Sequence, residues 1–360
     1  MVTLTLGYAV SVRGLVGGTP QWSAGAMDLL VLGGTAWLGR YVAAAALARG
    51  HRVVCLARGS SGEAPAGARL VRADRDRPDA LAALLPYQWD VVIDVARQPG
   101  QVRRAVAALA PRAAHYVFVS TVSVYADPAT VGQDESAPTL APLAGDLMTG
   151  MDEYGAAKVA CERHVLEGFG ADRSLVARSG LIAGPDDHTG RSGYWPWRFA
   201  HPSGPDGAVL VPDSPTLPTQ LIDVRDLAGW LVDAAERRCA GVVNAVGDVV
   251  SLGEHLATAR SVARHTGPLV TVDSDWLAEQ GVQEFMGPRS LPLWLDDPGW
   301  LGFTAHEGSR GRALGLTPRP LAATLRDALD YESHRPADKP RPSGLTDAEE
   351  LDLIAAWRSR

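Results

Sequence analysis

Short runs of apolar residues alternate along the chain with longer stretches in which apolar residues recur every three or four positions. A short apolar run is typical of a strand buried on both faces, whereas the longer recurrence is typical of an amphipathic helix. Their alternation predicts an α/β fold, in which helices cover both faces of a mainly parallel, doubly wound sheet. Predicted strands span residues 28–32, 51–56, 69–73, 90–95, 115–119, 174–178 and 242–245, and predicted helices include 37–49 and 101–112.

The remainder of the chain is organised differently, since residues 184–218 are rich in Gly, Pro and Trp and show no clear period. We expect this part to form a smaller C-terminal lobe over the carboxyl edge of the sheet, where open α/β sheets bind ligands. A capping box at Thr346–Glu349 predicts a final short helix. We expect residues 1–26 to be a loosely ordered extension, with Met27 as an alternative start. The sheet domain is expected to span 27–180, with a returning segment near 219–246. The substrate lobe is expected to comprise 181–218 and 247–335, and a proline-rich linker and a helix to occupy 336–360.

Composition narrows the class of partner. The net charge of −7 and the pI of about 5.7 argue against a nucleic-acid or anionic-membrane partner. No apolar run reaches the length of a membrane span. The three cysteines lie far apart in the sequence, so we expect neither a disulfide framework nor a metal site. We expect the protein to be located in a reducing cytoplasm. We therefore expect a small-molecule substrate. The sequence leaves open whether the protein forms a homodimer.

The segment VLGGTAWLGR, residues 31–40, joins the first predicted strand to the first predicted helix. Glycines in this context permit a tight turn and close helix–strand packing, and the amides at the helix start face a pyrophosphate. Ala36 stands where the middle glycine of the pattern is usual. We predict a dinucleotide-binding turn whose contacts are Gly33, Gly34, Thr35, Trp37, Leu38 and Gly39.

The end of the second strand indicates which dinucleotide is bound. NAD sites usually carry an acidic residue there for the ribose 2′-hydroxyl, but no acid occurs between Asp28 and Glu63. The strand is followed instead by Arg58, and Arg40 closes the glycine-rich segment. Because an arginine can receive a 2′-phosphate, we favour NADP(H), with NAD(H) as the alternative.

A second group of residues carries the chemistry. Tyr154 and Lys158 are spaced i, i+4 and share one helix face, and Lys158 is one of only two lysines in the chain. A phenol works as an acid or base near neutral pH only where a nearby positive charge favours the phenolate. The hydroxyls of Ser120, Thr121 and Ser123 follow the fifth predicted strand, so one of them can bind the substrate oxygen whose proton Tyr154 transfers.

Five segments in this order resemble the extended short-chain dehydrogenase/reductase superfamily, the group of NAD-dependent epimerases and dehydratases, over about residues 27–335. They are VLGGTAWLG, FVSTVSVYAD, Tyr154-Gly-Ala-Ala-Lys158, ARSGLIAGP at 177–185 and LIDVRDLAGW at 221–230. The resemblance implies a Rossmann-type fold, with Thr121 as the catalytic Ser/Thr, Tyr154 as the acid/base, Lys158 as its lysine and Asp74 at the adenine edge. Its departures are Ala36, which is typical of an atypical branch, Ser179 in place of proline, and Val122-Ser123 where sugar 4,6-dehydratases carry Asp-Glu.

The substrate side is less defined. The segment GRSGYWPWRFAHPSG supplies Tyr194, Trp195 and Trp197, whose rings suit a sugar or a nucleobase but equally suit a packed core, and Arg191 is a candidate for a phosphate or carboxylate. The favoured function is an NADP(H)-dependent oxidoreductase that acts on a carbonyl or alcohol. The alternatives are a sugar or sugar-nucleotide epimerase and a non-catalytic nucleotide-binding protein.

Overall fold

A computed structural model of the chain describes residues 10–11, 25–336 and 338–360. Most of the extension predicted for 1–26 lies outside these residues. The strands are β1 (Val10–Ser11), β2 (Asp28–Leu32), β3 (Arg52–Ala57), β4 (Arg69–Arg72), β5 (Tyr87–Asp94), β6 (Ala113–Thr121), β7 (Ser174–Ser179), β8 (Leu181–Ala183), β9 (Val209–Pro212), β10 (Pro218–Asp223), β11 (Gly241–Ala245), β12 (Val249–Ser251), β13 (Leu269–Val272), β14 (Gln283–Phe285) and β15 (Ser290–Pro292). The α-helices are α1 (Trp37–Ala48), α2 (Pro99–Leu109), α3 (Tyr154–Phe169), α4 (Arg191–Ala200), α5 (Val224–Glu236), α6 (Leu252–Val262), α7 (Ser274–Glu279), α8 (Ser309–Ala313), α9 (Leu321–Ser333) and α10 (Asp347–Arg358).

Parallel strands form the central sheet in the order β11-β7-β6-β5-β2-β3-β4, and the short β1 pairs with β5. Strands β2, β3 and β4 follow one another toward one edge of the sheet, and β5, β6, β7 and β11 follow one another toward the other edge. The strand order therefore reverses between β2 and β5. Ligands of open α/β sheets bind in the crevice at such a reversal, beyond the carboxyl ends of the strands. The predicted doubly wound parallel sheet is confirmed.

Helices bury the apolar residues on both faces of this sheet. On one face, α1 and α5 pack against β2 and β3 through side chains such as Val42 and Leu227. On the other face, α2 and α3 pack through side chains such as Val102 and Val165. Both cores consist mainly of aliphatic residues that are almost completely buried, with a few aromatic rings among them, and this explains why the strands are near-continuous apolar runs in the sequence.

The C-terminal lobe has its own core, centred on the fully buried rings of Trp195 and Trp294. Helices α4, α6 and α9 pack together around it, and a short parallel pair, β9 with β13, borders it. Helix α10 completes this core with Leu353 and Ile354.

Among the residues that the structure describes, no helix has both the length and the apolar character needed to cross a bilayer.

The C-terminal segment is bound to the lobe. The predicted final helix is α10, and its N-terminus carries the predicted capping box of Thr346 and Glu349. The preceding stretch, predicted as a linker, is hydrogen-bonded: Ser343 Oγ donates to the Thr189 carbonyl at 2.7 Å, and the Gly344 amide donates to the Gly287 carbonyl at 3.1 Å. These bonds connect the chain's end to two loops that border the candidate site.

Three histidines are buried in the fold with little polar compensation. Burial lowers the pKa of His115, His255 and His306 to about 4, from the ordinary value of 6.5. His255 is completely buried, and neither of its ring nitrogens has a hydrogen-bond partner among the described residues. These rings are therefore neutral in the folded protein near neutral pH.

We predict that the protein loses stability between pH 6.5 and pH 4, because the unfolded chain takes up protons on these rings that the folded chain rejects. The free energy of unfolding should fall by about 2 kcal/mol per histidine at pH 5. Urea denaturation of the wild type and of His255→Leu at pH 7.5 and pH 5.0 measures this, and the variant should lose about 2 kcal/mol less. The matched control is the exposed His334→Leu. An unchanged pH dependence in His255→Leu contradicts the prediction.

Candidate functional site

The glycine-rich turn between β2 and α1 lies at the reversal of strand order. Gly33 has a φ of +93°, and a Cβ placed on it would lie 2.6 Å from a Val95 methyl carbon. A Cβ on Gly39 would lie 2.2 Å from the Gly33 carbonyl oxygen. Ala36 is different, because its φ of −75° and ψ of 162° are an ordinary extended conformation. The substitution of the middle glycine therefore costs the turn no backbone strain.

The start of helix α1 is suited to an anionic ligand. The N-cap residue is Ala36, which supplies no capping side chain, and the first turn contains no acidic residue. Helices α6 and α10 are capped, in contrast, by Ser251 and Thr346. Amides at an uncapped helix start need an acceptor, and a pyrophosphate supplies one. The residues of this turn therefore fit a dinucleotide.

Two of the predicted cofactor contacts on this helix also touch the lobe. Trp37 Nε1 donates to the Pro185 carbonyl at 2.9 Å, and Arg40 forms an ion pair with Asp186 at 2.8 Å. Thr35 is buried in the turn itself, and Leu38 is buried in the first turn of α1. The loop that follows β8 is thus attached to the helix at which the predicted cofactor site begins.

Arginines surround the loop after β3. Arg58 is exposed there, and Arg40 Nη1 lies 3.6 Å from the position that a Cβ on Gly62 would occupy. The guanidinium of Arg72, at the end of β4, packs against Gly59, with Nη1 2.1 Å from the position that a Cβ on Gly59 would occupy. Sequence reasoning missed Arg72, although parallel strands end at the same edge and β4 directly follows β3. These three cations make the loop a candidate site for a 2′-phosphate.

The predicted adenine contact follows β4. Asp74 is partly buried, and its carboxylate accepts a hydrogen bond from the Asp76 amide at 3.1 Å. The neighbouring Arg75 and Asp94 form a buried ion pair at 2.6 Å. Asp74 thus shapes the turn beside the loop of the three arginines, and its role toward a cofactor stays a prediction.

Tyr154 and Lys158 occupy the first turns of α3, as their spacing predicts. The Lys158 ammonium is buried and donates to two backbone carbonyls, that of Ala96 at 2.8 Å and that of Val119 at 2.6 Å. These carbonyls lie close to the carboxyl ends of β5 and β6. Lys158 Nζ is 6.0 Å from the centre of the Tyr154 ring, which is partly exposed. One of its three N–H groups remains for a ligand.

The hydroxyls at the end of β6 separate into two groups. Thr121 Oγ1 lies 3.1 Å from Ser123 Oγ and accepts a hydrogen bond from the Ser123 amide. Ser120 instead donates to a buried carboxylate, Glu162, at 2.5 Å. The Ser120 hydroxyl is therefore engaged in a structural hydrogen bond, whereas the Thr121 and Ser123 hydroxyls stay candidates for contact with a substrate oxygen.

Glu162 belongs to a buried ion pair that sequence reasoning missed. Its carboxylate accepts two hydrogen bonds from Arg178 on β7, at 3.1 Å and 2.8 Å, and both side chains are almost completely buried. Burial opposes the charge of Arg178, but the contact with Glu162 more than offsets it and raises the pKa of Arg178. Glu162 lies one turn after Lys158, so its bonds to Ser120 and Arg178 fix α3 to β6 and β7.

The aromatic residues of α4 are placed in the lobe core. Trp195 is completely buried and donates to the Pro292 carbonyl at 2.6 Å, and Tyr194 is 1% exposed. Trp197 is packed between His201, at a ring-centre distance of 3.6 Å, and the guanidinium of Arg341, at 3.7 Å. For Tyr194 and Trp195 the structure agrees with the packed-core alternative, because both rings are almost completely buried. Trp197 is partly exposed, and its contact with a substrate stays a prediction.

Arg191, at the start of the same helix, is placed differently. Its Nε donates to Thr189 Oγ1 at 3.1 Å, and its guanidinium lies 5.0 Å from the centre of the Phe285 ring. Burial lowers the pKa of Arg191, and the nearby Asp187 and Tyr154 partly offset this effect. Arg191 therefore lies within electrostatic reach of Tyr154. Phe285, which lacks any recognisable sequence signal, joins the site through this contact.

Comparison with known proteins points to one family. A model of the NAD dependent epimerase/dehydratase family matches residues 29–247. A 2′-dehydrokanamycin reductase from Streptomyces kanamyceticus is 31% identical over 270 residues, which cover 71% of this chain and 72% of the reductase.

Solved structures share the fold. The UDP-N-acetylglucosamine 4-epimerase from Bacillus cereus superposes with a TM-score of 0.61 at 17% identity, covering 88% of this chain and 99% of that one. The UDP-Glc/GlcNAc 4-epimerase from Campylobacter jejuni gives a TM-score of 0.62 at 17% identity, covering 86% of this chain and 99% of that one. At this level of identity the likeness shows the fold alone.

We predict that Glu162→Gln destabilises the protein by about 3–5 kcal/mol, because it leaves the buried Arg178 without its counter-charge. Urea denaturation gives the difference. The matched control is Glu167→Gln on the same helix, where both partners of the ion pair with Arg163 are more than half exposed. That change should cost less than about 0.5 kcal/mol. Equal losses in the two variants contradict the prediction.

Proposed function

Because the chain belongs to the NAD-dependent epimerase/dehydratase family, we propose that it is an NADP(H)-dependent oxidoreductase that interconverts a carbonyl and an alcohol on a small, sugar-like molecule. The observation that carries the proposal is the position of Lys158. Its ammonium is held by the carbonyls of Ala96 and Val119, one turn from Tyr154 and beside the end of β6. This position supports the proposal, because it brings a cation close to a phenol and to the hydroxyls that follow β6.

The relatives bear on the choice of reaction. The family is one of NAD-dependent enzymes and the 31% identical relative is a reductase, so the third hypothesis of a non-catalytic binding protein is dropped. The relative's reductase activity favours net reduction over epimerisation. An epimerase remains the second candidate, since the same residues serve both reactions and solved structures of this fold include 4-epimerases.

In the proposed mechanism each residue has a distinct task. Thr121 donates a hydrogen bond to the substrate oxygen and fixes its position. Tyr154 gives its proton to that oxygen during reduction and accepts it back during oxidation. Lys158 places a positive charge beside Tyr154 and uses its remaining N–H to bind the cofactor's ribose. The bound nicotinamide supplies or accepts the hydride.

We predict that Tyr154→Phe lowers kcat at least about 100-fold, because the proton donor is lost, while the Kd for NADP⁺ changes little. NADPH oxidation with 2′-dehydrokanamycin and a panel of keto sugars provides the assay, and Tyr331→Phe on α9 is the matched control. One NADPH consumed per product supports a reductase, whereas turnover without net NADPH oxidation supports an epimerase. A Tyr154→Phe variant with wild-type kcat refutes the proposed mechanism.

We further predict that Arg58→Ala and Arg72→Ala each weaken NADPH binding about 10- to 100-fold and leave NADH binding nearly unchanged, because each removes a charge-assisted hydrogen bond to the 2′-phosphate. Fluorescence titration with both dinucleotides measures the two affinities. Arg77→Ala, exposed in the loop after β4, is the control. Arg40 is left intact because it also binds Asp186. A wild type that prefers NADH, or equal losses for both dinucleotides, overturns the choice of NADP(H).

A further inference from the structure

Lys158 is bound by two backbone carbonyls whose positions are fixed in different ways. The Val119 carbonyl belongs to β6, and the pairing of β6 with β7 sets its position. The Ala96 carbonyl belongs to residues 95–98, which form neither strand nor helix. Because no regular ladder of backbone bonds includes Ala96, the place at which its carbonyl meets Lys158 depends on other bonds.

The group that holds Ala96 is the carboxylate of Asp94, the last residue of β5. One carboxylate oxygen accepts hydrogen bonds from the Ala96 amide at 2.9 Å and from Arg75 Nη1 at 2.6 Å. The other oxygen accepts from Arg75 Nη2 at 2.8 Å and from the Tyr116 hydroxyl at 2.6 Å. A carboxylate offers about four acceptor positions, and all of them are used here. Ala96 is therefore fixed at both of its backbone polar groups, since its amide binds Asp94 and its carbonyl binds Lys158.

The Asp94 carboxylate is charged although it is completely buried. Burial raises the pKa of Asp94, but the guanidinium of Arg75 and the two further hydrogen bonds more than offset this effect and lower the pKa below its ordinary value. Hydrogen bonds to an ionised acceptor are stronger than those between neutral groups. The bond from the Ala96 amide to Asp94 is thus suited to fix a segment that lacks regular structure.

Arg75 extends this connection toward the other end of the predicted cofactor site. It directly follows Asp74, the predicted adenine contact, in the turn after β4. Its carbonyl accepts hydrogen bonds from Arg104 Nε at 3.2 Å and Nη2 at 2.7 Å, and its own Nη2 donates to the Gln101 carbonyl at 3.0 Å. Both partners lie on α2. The turn after β4, helix α2 and the segment of Ala96 are thereby joined at one buried ion pair.

We propose that Asp94 is a positioning residue of the cofactor site. Through the Ala96 amide it sets the carbonyl that receives Lys158, and through Arg75 it ties this lysine to the turn predicted to meet the adenine. The inference rests on the proposed function in one respect, because it takes Lys158 as a contact of the cofactor's ribose. Asp94 is completely buried, so it acts through Ala96 and Lys158 and not by touching a ligand.

The small number of lysines allows a direct test on the full-length, cofactor-free protein. Lys158 and Lys339 are the only lysines in the chain, so protein labelled with ¹⁵N at lysine Nζ gives two ammonium signals, and Lys339→Arg assigns them. The bonded Lys158 ammonium should exchange its protons with water more slowly than the exposed Lys339. In Asp94→Asn this exchange should become at least about 10-fold faster at the same pH. The double variant Arg75→Met with Asp94→Leu should show the same increase without leaving a buried arginine unpaired.

The matched control is a second buried pair, Asp28 with Arg52, at the first residues of β2 and β3 and thus at the opposite edge of the sheet. Asp28→Asn, and the double variant Arg52→Met with Asp28→Leu, should leave the exchange of Lys158 unchanged. Fluorescence titration with NADP⁺ gives an independent readout. Both Asp94 variants should weaken NADP⁺ binding about 10-fold, and this loss should vanish in a Lys158→Met background, because Asp94 acts through that lysine.

Three results overturn the inference. The first is a Lys158 exchange rate that stays unchanged in both Asp94 variants or rises equally in the Asp28 controls. The second is a wild-type Lys158 ammonium that exchanges as fast as Lys339. The third is a loss of NADP⁺ affinity of the same size with and without Lys158, which is what a merely structural role produces. A wild type that fails to bind NADP⁺ refutes the proposed function instead, and the exchange rates then still decide whether Asp94 positions Lys158.

Discussion

The geometry of the site depends on the bond between the Lys158 ammonium and the carbonyls of Ala96 and Val119. A buried ammonium must find acceptors, and backbone carbonyls near the ends of β5 and β6 are available because parallel strands end at the same edge. The bond therefore fixes α3 against two neighbouring strands at the reversal of strand order. One turn further along, Glu162 and Arg178 repeat this anchoring with a buried ion pair. Tyr154, the first residue of the helix, is thereby held one turn from Lys158, whose Nζ lies 6.0 Å from the centre of its ring.

Much of this arrangement could be predicted because its signals are local. Buried parallel strands are apolar runs, so the seven main strands of the sheet were all predicted, with boundaries that differ by at most a few residues. The spacing of Tyr154 and Lys158 is a property of any helix. The effect of Ala36 was also within reach, since an extended N-cap needs no glycine. The resemblance to the extended short-chain dehydrogenase/reductase superfamily is confirmed by the family match.

The parts that could not be predicted depend on distant contacts. Arg191 and Arg198 lie seven residues apart on one helix and look equivalent in the sequence. The structure pairs Arg198 with Asp347, which is almost 150 residues away, and places the Arg191 guanidinium against the Phe285 ring instead. Similarly, a ring such as Trp195 suits a core as well as a pocket, and only the covering by β15 decides between them.

The loop between β8 and α4 contacts both halves of the site. Its first residues bind helix α1, where Trp37 holds the Pro185 carbonyl and Arg40 holds Asp186, and it ends at Arg191. Asp186 adopts a φ of +65°, in the left-handed region that aspartate adopts more readily than most residues. The segment is thus fixed to α1 at one end and carries Arg191, a candidate substrate contact, at the other, so the proposed cofactor site and this candidate residue share one structural support. For ligands bound at the two proposed sites, thermodynamic reciprocity applies: the factor by which the cofactor changes the affinity for the substrate equals the factor by which the substrate changes the affinity for the cofactor.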